Sequence, residues 1–160
     1  MKKIVIFGNS GSGKSTLAKQ LSEEHSLAHL DLDVVAWQPV SPPERKTVRD
    51  ANRDIERFIN THEQWVIEGC YGDLLELTLP HASEIIYLDL PVQICIDNAR
   101  NRPWEPHKYE SKEAQDANLQ MLIDWIAEYD KRKDTFSRAS HHKLFVNYAG
   151  RKKRYTSNKR

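Results

Sequence analysis

Gly8-Asn9-Ser10-Gly11-Ser12-Gly13-Lys14-Ser15-Thr16 is the stretch whose residue types and spacing point most directly to chemistry. It fits G-x-x-x-x-G-K-[ST], the phosphate-binding P-loop pattern. A polyphosphate needs many donors converging from one side. Glycine lets the main chain wrap close to the anion in dihedrals that a Cβ opposes. Successive amides then form an anion nest, and the helix that follows adds its positive end. In such a loop Gly8, Ser10, Gly11, Ser12, Gly13, Lys14, Ser15 and Thr16 are the expected nucleotide contacts. Lys14 is expected to reach the β- and γ-phosphates, and the Ser15 hydroxyl to ligate Mg2+. ATP and Mg2+ are therefore the expected cofactors.

That chemistry works only where a strand feeds the loop and a helix leaves it. Lys3-Ile4-Val5-Ile6-Phe7 reads as a buried strand, rich in β-branched and aromatic residues. The residues from Lys14 to about His25 read as a helix. Further strands are expected at Ala28 to Leu32, Trp65 to Ile67, Glu84 to Leu90 and Lys143 to Asn147. Helices are expected after Ser41-Pro42-Pro43-Glu44, which resembles a capping box, then from Tyr71 to Leu79, from Pro91 to about Arg100, and from Glu113 to about Lys133. Pro103 to Ser111 is a short exposed stretch. Alternating strands and helices predict an α/β protein with a parallel sheet and helices on both faces. Ligands in such sheets sit beyond the carboxyl ends of the strands. That rule gathers the P-loop, Asp31, Asp33 and Glu68 into one crevice.

Composition narrows the partners. There are 24 Lys+Arg and 23 Asp+Glu, so no overall field points to nucleic acid or membrane. Residues 151–160 hold six of the positive charges and no acid. The remainder has 18 basic against 23 acidic residues, a formal charge of −5. Such a tail could touch nucleic acid, but it reads first as a solvated, partly disordered terminus. No apolar run of about 18 residues predicts a membrane span. The chain enters its first strand almost at once, leaving no room for a signal peptide. Cys70 and Cys95 are isolated thiols, consistent with a reducing cytoplasm and with neither a disulfide framework nor a zinc site. His141-His142 reads as a surface feature at the entry to the last strand. Nothing in the pattern bears on oligomeric state or on adenine against guanine.

With those residues in hand, the chain resembles the small P-loop kinases of the adenylate kinase and shikimate kinase superfamily. Within it the chain is most similar to adenylate-kinase-like proteins described as DNA topology modulation (FlaR-type) proteins. The P-loop carries the first likeness. His29-Leu30-Asp31-Leu32-Asp33 with Trp37 and Pro39, Trp65-Val66-Ile67-Glu68-Gly69-Cys70-Tyr71, and Ile86-Tyr87-Leu88-Asp89-Leu90-Pro91 carry the second. The likeness extends to about Tyr148. It implies a single three-layer P-loop NTPase domain over 1–160, five parallel strands in the order 2-3-1-4-5, an ATP site and a short lid over approximately 101–113. The function it implies is ATP-dependent transfer of the γ-phosphoryl group to a small-molecule or nucleotide acceptor. The alternative is a nucleotide-binding regulatory or nucleic-acid-associated protein with weak ATPase activity.

The resemblance also assigns roles. Asp31-x-Asp33 is similar to the shikimate kinase pair, which implies Asp33 as acceptor contact and base, and Asp31 as a holder of the metal's water. Glu68-Gly69 stands where adenylate kinases carry Asp-Gly-Phe-Pro-Arg. The arginine position of that motif is Gly72 here, which weakens AMP as acceptor. Arg100 and Arg102 fall where lid arginines cover the transferring group, or else they pair with a helix end; Arg132 and Arg138 are the fallback. Trp37 and Tyr71 line an acceptor pocket or pack in loop and core. Arg45, Arg49 and Arg53 read as a solvated helix face, with Arg45 nearest the crevice. Residues 148–152 are implied as the adenine-contacting loop.

Overall fold

Fifteen elements follow one another along the chain in the computed structural model, which describes all 160 residues, Met1–Arg160. They are β1 (Lys3–Gly8), α1 (Lys14–His25), β2 (Ala28–Asp31), α2 (Leu32–Ala36), β3 (Trp37–Gln38), β4 (Glu44–Arg45), α3 (Val48–Thr61), β5 (Trp65–Gly69), α4 (Gly72–Thr78) with a 3-10 turn at Leu79–His81, β6 (Glu84–Leu88), α5 (Val92–Arg100), α6 (Lys112–Ala127), α7 (Arg138–Asn147) and β7 (Arg151–Tyr155). Five strands form one parallel sheet in the order β2-β5-β1-β6-β7. Counted among the sheet strands alone, that is 2-3-1-4-5. β3 and β4 form a separate antiparallel ribbon.

Strand alternation builds two cores. Ile4, Ile6, Val66, Ile86 and Leu88 face one way and pack on Leu17 and Ala18 of α1, Ile96 of α5, and Ile123 and Ile126 of α6. Val5, Phe7, Trp65, Ile67, Ile85 and Tyr87 face the other way, onto Ala51 and Ile55 of α3, Leu74 and Leu75 of α4, and Leu144 of α7. Because both faces are covered, the strands read as continuous apolar runs rather than alternating ones. Truncating a fully buried side chain such as Phe7 to alanine costs about 3–5 kcal/mol. Register sets the functional rim. Gly8 lies opposite Leu88, Asp31 opposite Glu68, Phe7 opposite Gly69, and Leu88 opposite Tyr155. All five carboxyl ends therefore open at one level.

The last third departs from the sequence expectation. Lys143 to Asn147 is not a strand; it is the second half of α7. His141, Leu144 and Phe145 recur at helical spacing against the core, and the Ser137 side chain caps the helix by accepting from Ser140 N. A short apolar run fits helix or strand by periodicity alone. The fifth strand is Arg151–Tyr155, so the basic tail is neither solvated throughout nor disordered. It forms the sheet edge, where exposed charges discourage pairing with another chain. His141 is buried rather than superficial.

Two smaller expectations also change. Ser41 to Glu44 caps nothing, because Glu44 enters β4 and α3 starts behind Thr47, whose side chain accepts from Asp50 N. Arg45 therefore lies in β4, off the helix face. The helix expected to reach Lys133 ends at Ala127, so Lys131, Arg132 and Lys133 lie in the turn beyond it.

Candidate functional site

The phosphate wall is made of main chain. β1 delivers Gly8 to the rim, and the loop turns back into α1 with Gly13 as N-cap at φ 89°. No side chain caps that helix, so its first amides stay free for an anion. Gly11 has φ 78°, and a Cβ there would stand 2.4 Å from the Cys95 carbonyl oxygen. The loop thus needs glycine both for its turn and for its contact with α5. Asn98 of α5 donates to Gly11 O at 2.8 Å and holds the loop from outside. Lys14 Nζ donates to Asn9 O at 2.7 Å, folding its ammonium onto the loop.

The opposite wall is made of side chains. β2 ends at Asp31, whose carboxylate caps α2 by accepting from Asp33 N at 2.9 Å. That cap places Asp31 and Asp33 side by side at the rim. Tyr71 OH donates to Asp33 Oδ1 at 2.5 Å and accepts from Trp37 Nε1 at 2.9 Å. Burial, and then the Asp33 carboxylate, push the Tyr71 phenol above its ordinary range, so it stays a donor. Glu68 is 2% exposed, with His29 Nε2 at 3.0 Å from its Oε2. Burial, with the carboxylates of Glu68 and Asp33 close by, pushes Asp31 up to about 6. Burial pushes the Cys70 thiol up to about 12, which rules it out as a thiolate at neutral pH.

Between the walls lies a cleft of about 580 Å3. Ser10, Gly11, Gly13, Lys14, Ser15 and Thr16 line one side; Asp31, Asp33, Glu68 and Cys70 line the other. Arg102, Pro103, Glu105, Lys108 and Tyr109 form the roof, and Asn98, Asn158 and Arg160 close the end beside α5. Only three of the 21 lining residues are hydrophobic, which fits a polar, charged ligand. The roof is held to α6 by Gln115, which accepts from Glu105 N at 2.8 Å and donates to Pro103 O at 3.0 Å.

Several expected residues are elsewhere. Gly8 and Ser12 are buried beneath the loop rather than facing the cleft. Arg100 points to solvent, 4.0 Å from Asp97, and is not brought to the cleft; Arg102 is, 3.2 Å from Glu105. Arg132 stacks over Trp125, while Arg138 pairs with Asp89 and Asp130. Trp37 and Tyr71 do not line the cleft but stand behind Asp33. Arg45 pairs with Asp73 at 3.4 Å. Residues 148–152 lie ahead of the last strand or in it, and Asn158 and Arg160 reach the cleft instead.

Sequence reasoning missed Lys108, Asn98, Asn158, Arg160 and His29. Lys108 lay in plain view within Pro103 to Ser111, but the resemblance directed attention to arginines. Arg160 was hidden by the misplaced fifth strand.

The donors suit Mg2+. No three His, Cys, Asp or Glu side chains gather closely enough to hold a metal alone. A hydroxyl at Ser15 and a carboxylate at Asp31 are hard oxygen ligands, and Mg2+ typically keeps waters and takes substrate phosphates for the rest.

A family model described as "AAA domain" matches residues 4–118, from β1 through the first turns of α6. The chain belongs to that AAA domain family. The matched span holds the P-loop, both aspartates, Glu68 and the roof, and stops before α7 and β7. YqaC of Bacillus subtilis (strain 168), described as an uncharacterized protein, is 28% identical over 153 residues, covering 88% of this chain and 80% of that protein. Shikimate kinase from Aquifex aeolicus superposes with a TM-score of 0.54 at 15% identity, over 100% of this chain and 88% of that one. A sugar kinase from Janibacter sp. HTCC2649 gives a TM-score of 0.49 at 14% identity, over 93% and 96%. The fold of this AAA-domain chain is the one seen in that shikimate kinase. No helix is long and apolar enough to cross a membrane.

Proposed function

We propose that the protein is an ATP-dependent phosphotransferase acting on a hydroxyl of a small acceptor. The observation that carries this reading is the placement of Asp33. A carboxylate fixed by Tyr71 faces a P-loop across one polar cleft. On this reading the phosphates lie on the amides of Ser10 to Thr16, and Lys14 leaves Asn9 O to meet them. Ser15, with Asp31 through water, would hold Mg2+, which neutralises developing phosphate charge. Asp33 accepts the acceptor's proton through Oδ2, because Oδ1 is already engaged by Tyr71. Trp37 and Tyr71 position that carboxylate rather than touch the acceptor, and Glu68 closes the wall. Arg102 covers the reacting groups from a lid spanning 101–113 of a single catalytic domain. Phosphoryl transfer is mostly positioning and charge neutralisation, which this arrangement can supply.

The free thiols Cys70 and Cys95 support a reducing compartment, the cytoplasm. The regulatory, nucleic-acid-associated reading rests on the basic tail and on the likeness to DNA topology modulation proteins. In β7 those cations have partners: Arg151 and Lys153 lie 3.7 and 3.4 Å from Glu84, and Arg154 lies 2.7 Å from Asp89. The catalytic reading is tested by incubating the protein with γ-labelled Mg-ATP and a panel of sugars, amino alcohols, sugar acids, nucleosides and nucleotides. The expected result is label moving into an acceptor with stoichiometric ADP. Release of inorganic phosphate alone, at the same rate with every acceptor, overturns it.

A further inference from the structure

Charge is divided unevenly between the two walls. Lys14 lies on the P-loop, and the Arg160 guanidinium comes within 3.6 Å of where a Cβ on Gly13 would stand. Arg102 is engaged by Glu105. The acceptor wall carries Asp31, Asp33 and Glu68, and one cation reaches its two aspartates. That cation is the ammonium of Lys108, 3.4 Å from Asp33 Oδ2, 3.8 Å from Asp31 Oδ2 and 3.7 Å from Glu105 Oε2. It enters from the lid at the end of a flexible four-carbon stem. An acceptor must reach Asp33 Oδ2 to give up its proton, and the lysine head stands there.

We propose that the acceptor is a small hydroxyl compound bearing a positively charged amine, an amino sugar or amino alcohol, whose ammonium replaces that of Lys108 among Asp31, Asp33 and Glu105. The assignment rests on the phosphotransferase reading and deepens it. With Mg2+ taken at Asp31, displacing the lysine with a neutral acceptor leaves Asp33 and Glu105 without the cation they share, which is unfavourable. An anionic acceptor adds to that charge and meets no free arginine on this side. A ligand ammonium restores the balance, and its tetrahedral donors match several carboxylates at once. In the transfer, the acceptor oxygen bonds to the γ-phosphorus while the bond from that phosphorus to the β–γ bridging oxygen breaks. The bridging electron pair leaves on ADP, and the hydroxyl proton passes to Asp33 Oδ2 and then to water. ATP is the only co-reactant.

The test uses matched acceptors with the full chain and γ-labelled Mg-ATP: glucosamine against N-acetylglucosamine, glucose and gluconate, and ethanolamine against ethylene glycol and glycolate. The expected result is a kcat/KM at least tenfold higher for the amine member of at least one set. Lys108→Met removes the internal competitor and is expected to lower the KM for that amine threefold or more. Label moving equally well, or better, to neutral or acidic members overturns the amine assignment and leaves phosphotransferase activity standing. A KM for the amine that rises tenfold in Lys108→Met also overturns it, since the lysine would then be an acceptor contact. No ADP with any acceptor overturns the assignment and the activity together. A thermal shift with glucosamine but not glucose, measured with ADP present, reads the same preference without turnover; equal shifts count against it.

Discussion

The two walls of the cleft are built by different means. The phosphate wall is nine consecutive residues of main chain, fixed by glycine conformation and by packing on α5. The opposite wall is side chains from β2, α2, β5 and the roof, up to 77 positions apart, brought together by strand register and hydrogen bonds. A wall of amides binds what every P-loop protein binds. A wall of side chains can be changed one residue at a time, so specificity belongs there.

Substitutions can break this contrast. The largest effect belongs to Lys14, whose ammonium folds onto the amide wall. Lys14→Ala is expected to lower kcat by about 10³ or more, a barrier increase of roughly 4 kcal/mol, in an initial-rate assay. A loss under tenfold would mean that the amides suffice.

Behind the acceptor wall, His141 Nδ1 lies 2.7 Å from Tyr129 OH and its Nε2 lies 2.8 Å from Cys70 O. Burial holds its pKa down to about 4. An unfolded histidine near 6.5 binds protons first, so this contribution is complete above pH 6.5 and is lost as pH falls towards 4. Denaturant unfolding should show about 3 kcal/mol lost over that window, with the slope much shallower in His141→Gln. Parallel slopes in the two proteins would contradict the buried, neutral assignment.

Next comes the support of Asp33. Tyr71→Phe removes a donor to a carboxylate and is expected to lower kcat about 10- to 100-fold. Trp37→Phe acts one step further back and should cost about fivefold or less. An unchanged kcat in Tyr71→Phe would reduce the pair to packing. The smallest effect sharpens the boundary of the site: Arg100→Ala, pointing to solvent, should change kcat/KM by less than twofold, whereas Arg102→Ala should cost about tenfold or more.

Legibility followed the same division. The P-loop and the convergence of Asp31, Asp33 and Glu68 could be read because consecutive residues and strand-end topology determine them, whereas the sheet order was implied by the resemblance alone. Tyr71 was found by its position, but its work behind Asp33 required coordinates, since a hydrogen bond across 38 residues leaves no periodic trace. Lys108 belongs to a stretch with little regular pattern, and its reach into the cleft depends on how the roof is tied to α6. The fifth strand was misplaced because Leu144-Phe145-Val146 looks more strand-like than Arg151-Lys152-Lys153-Arg154. The charged run is tolerated as an edge because Glu84 and Asp89 on and beside β6 meet its cations.

Calorimetric titration of ADP with Mg2+ into the purified chain tests the central claim most directly. Saturable heat at one nucleotide per chain, lost in Lys14→Ala, is the outcome that follows from a cleft whose near wall is a polyphosphate cradle. Absence of heat from the unaltered protein, with ATP and GTP equally silent, would contradict it and remove the basis for every role assigned to the wall opposite.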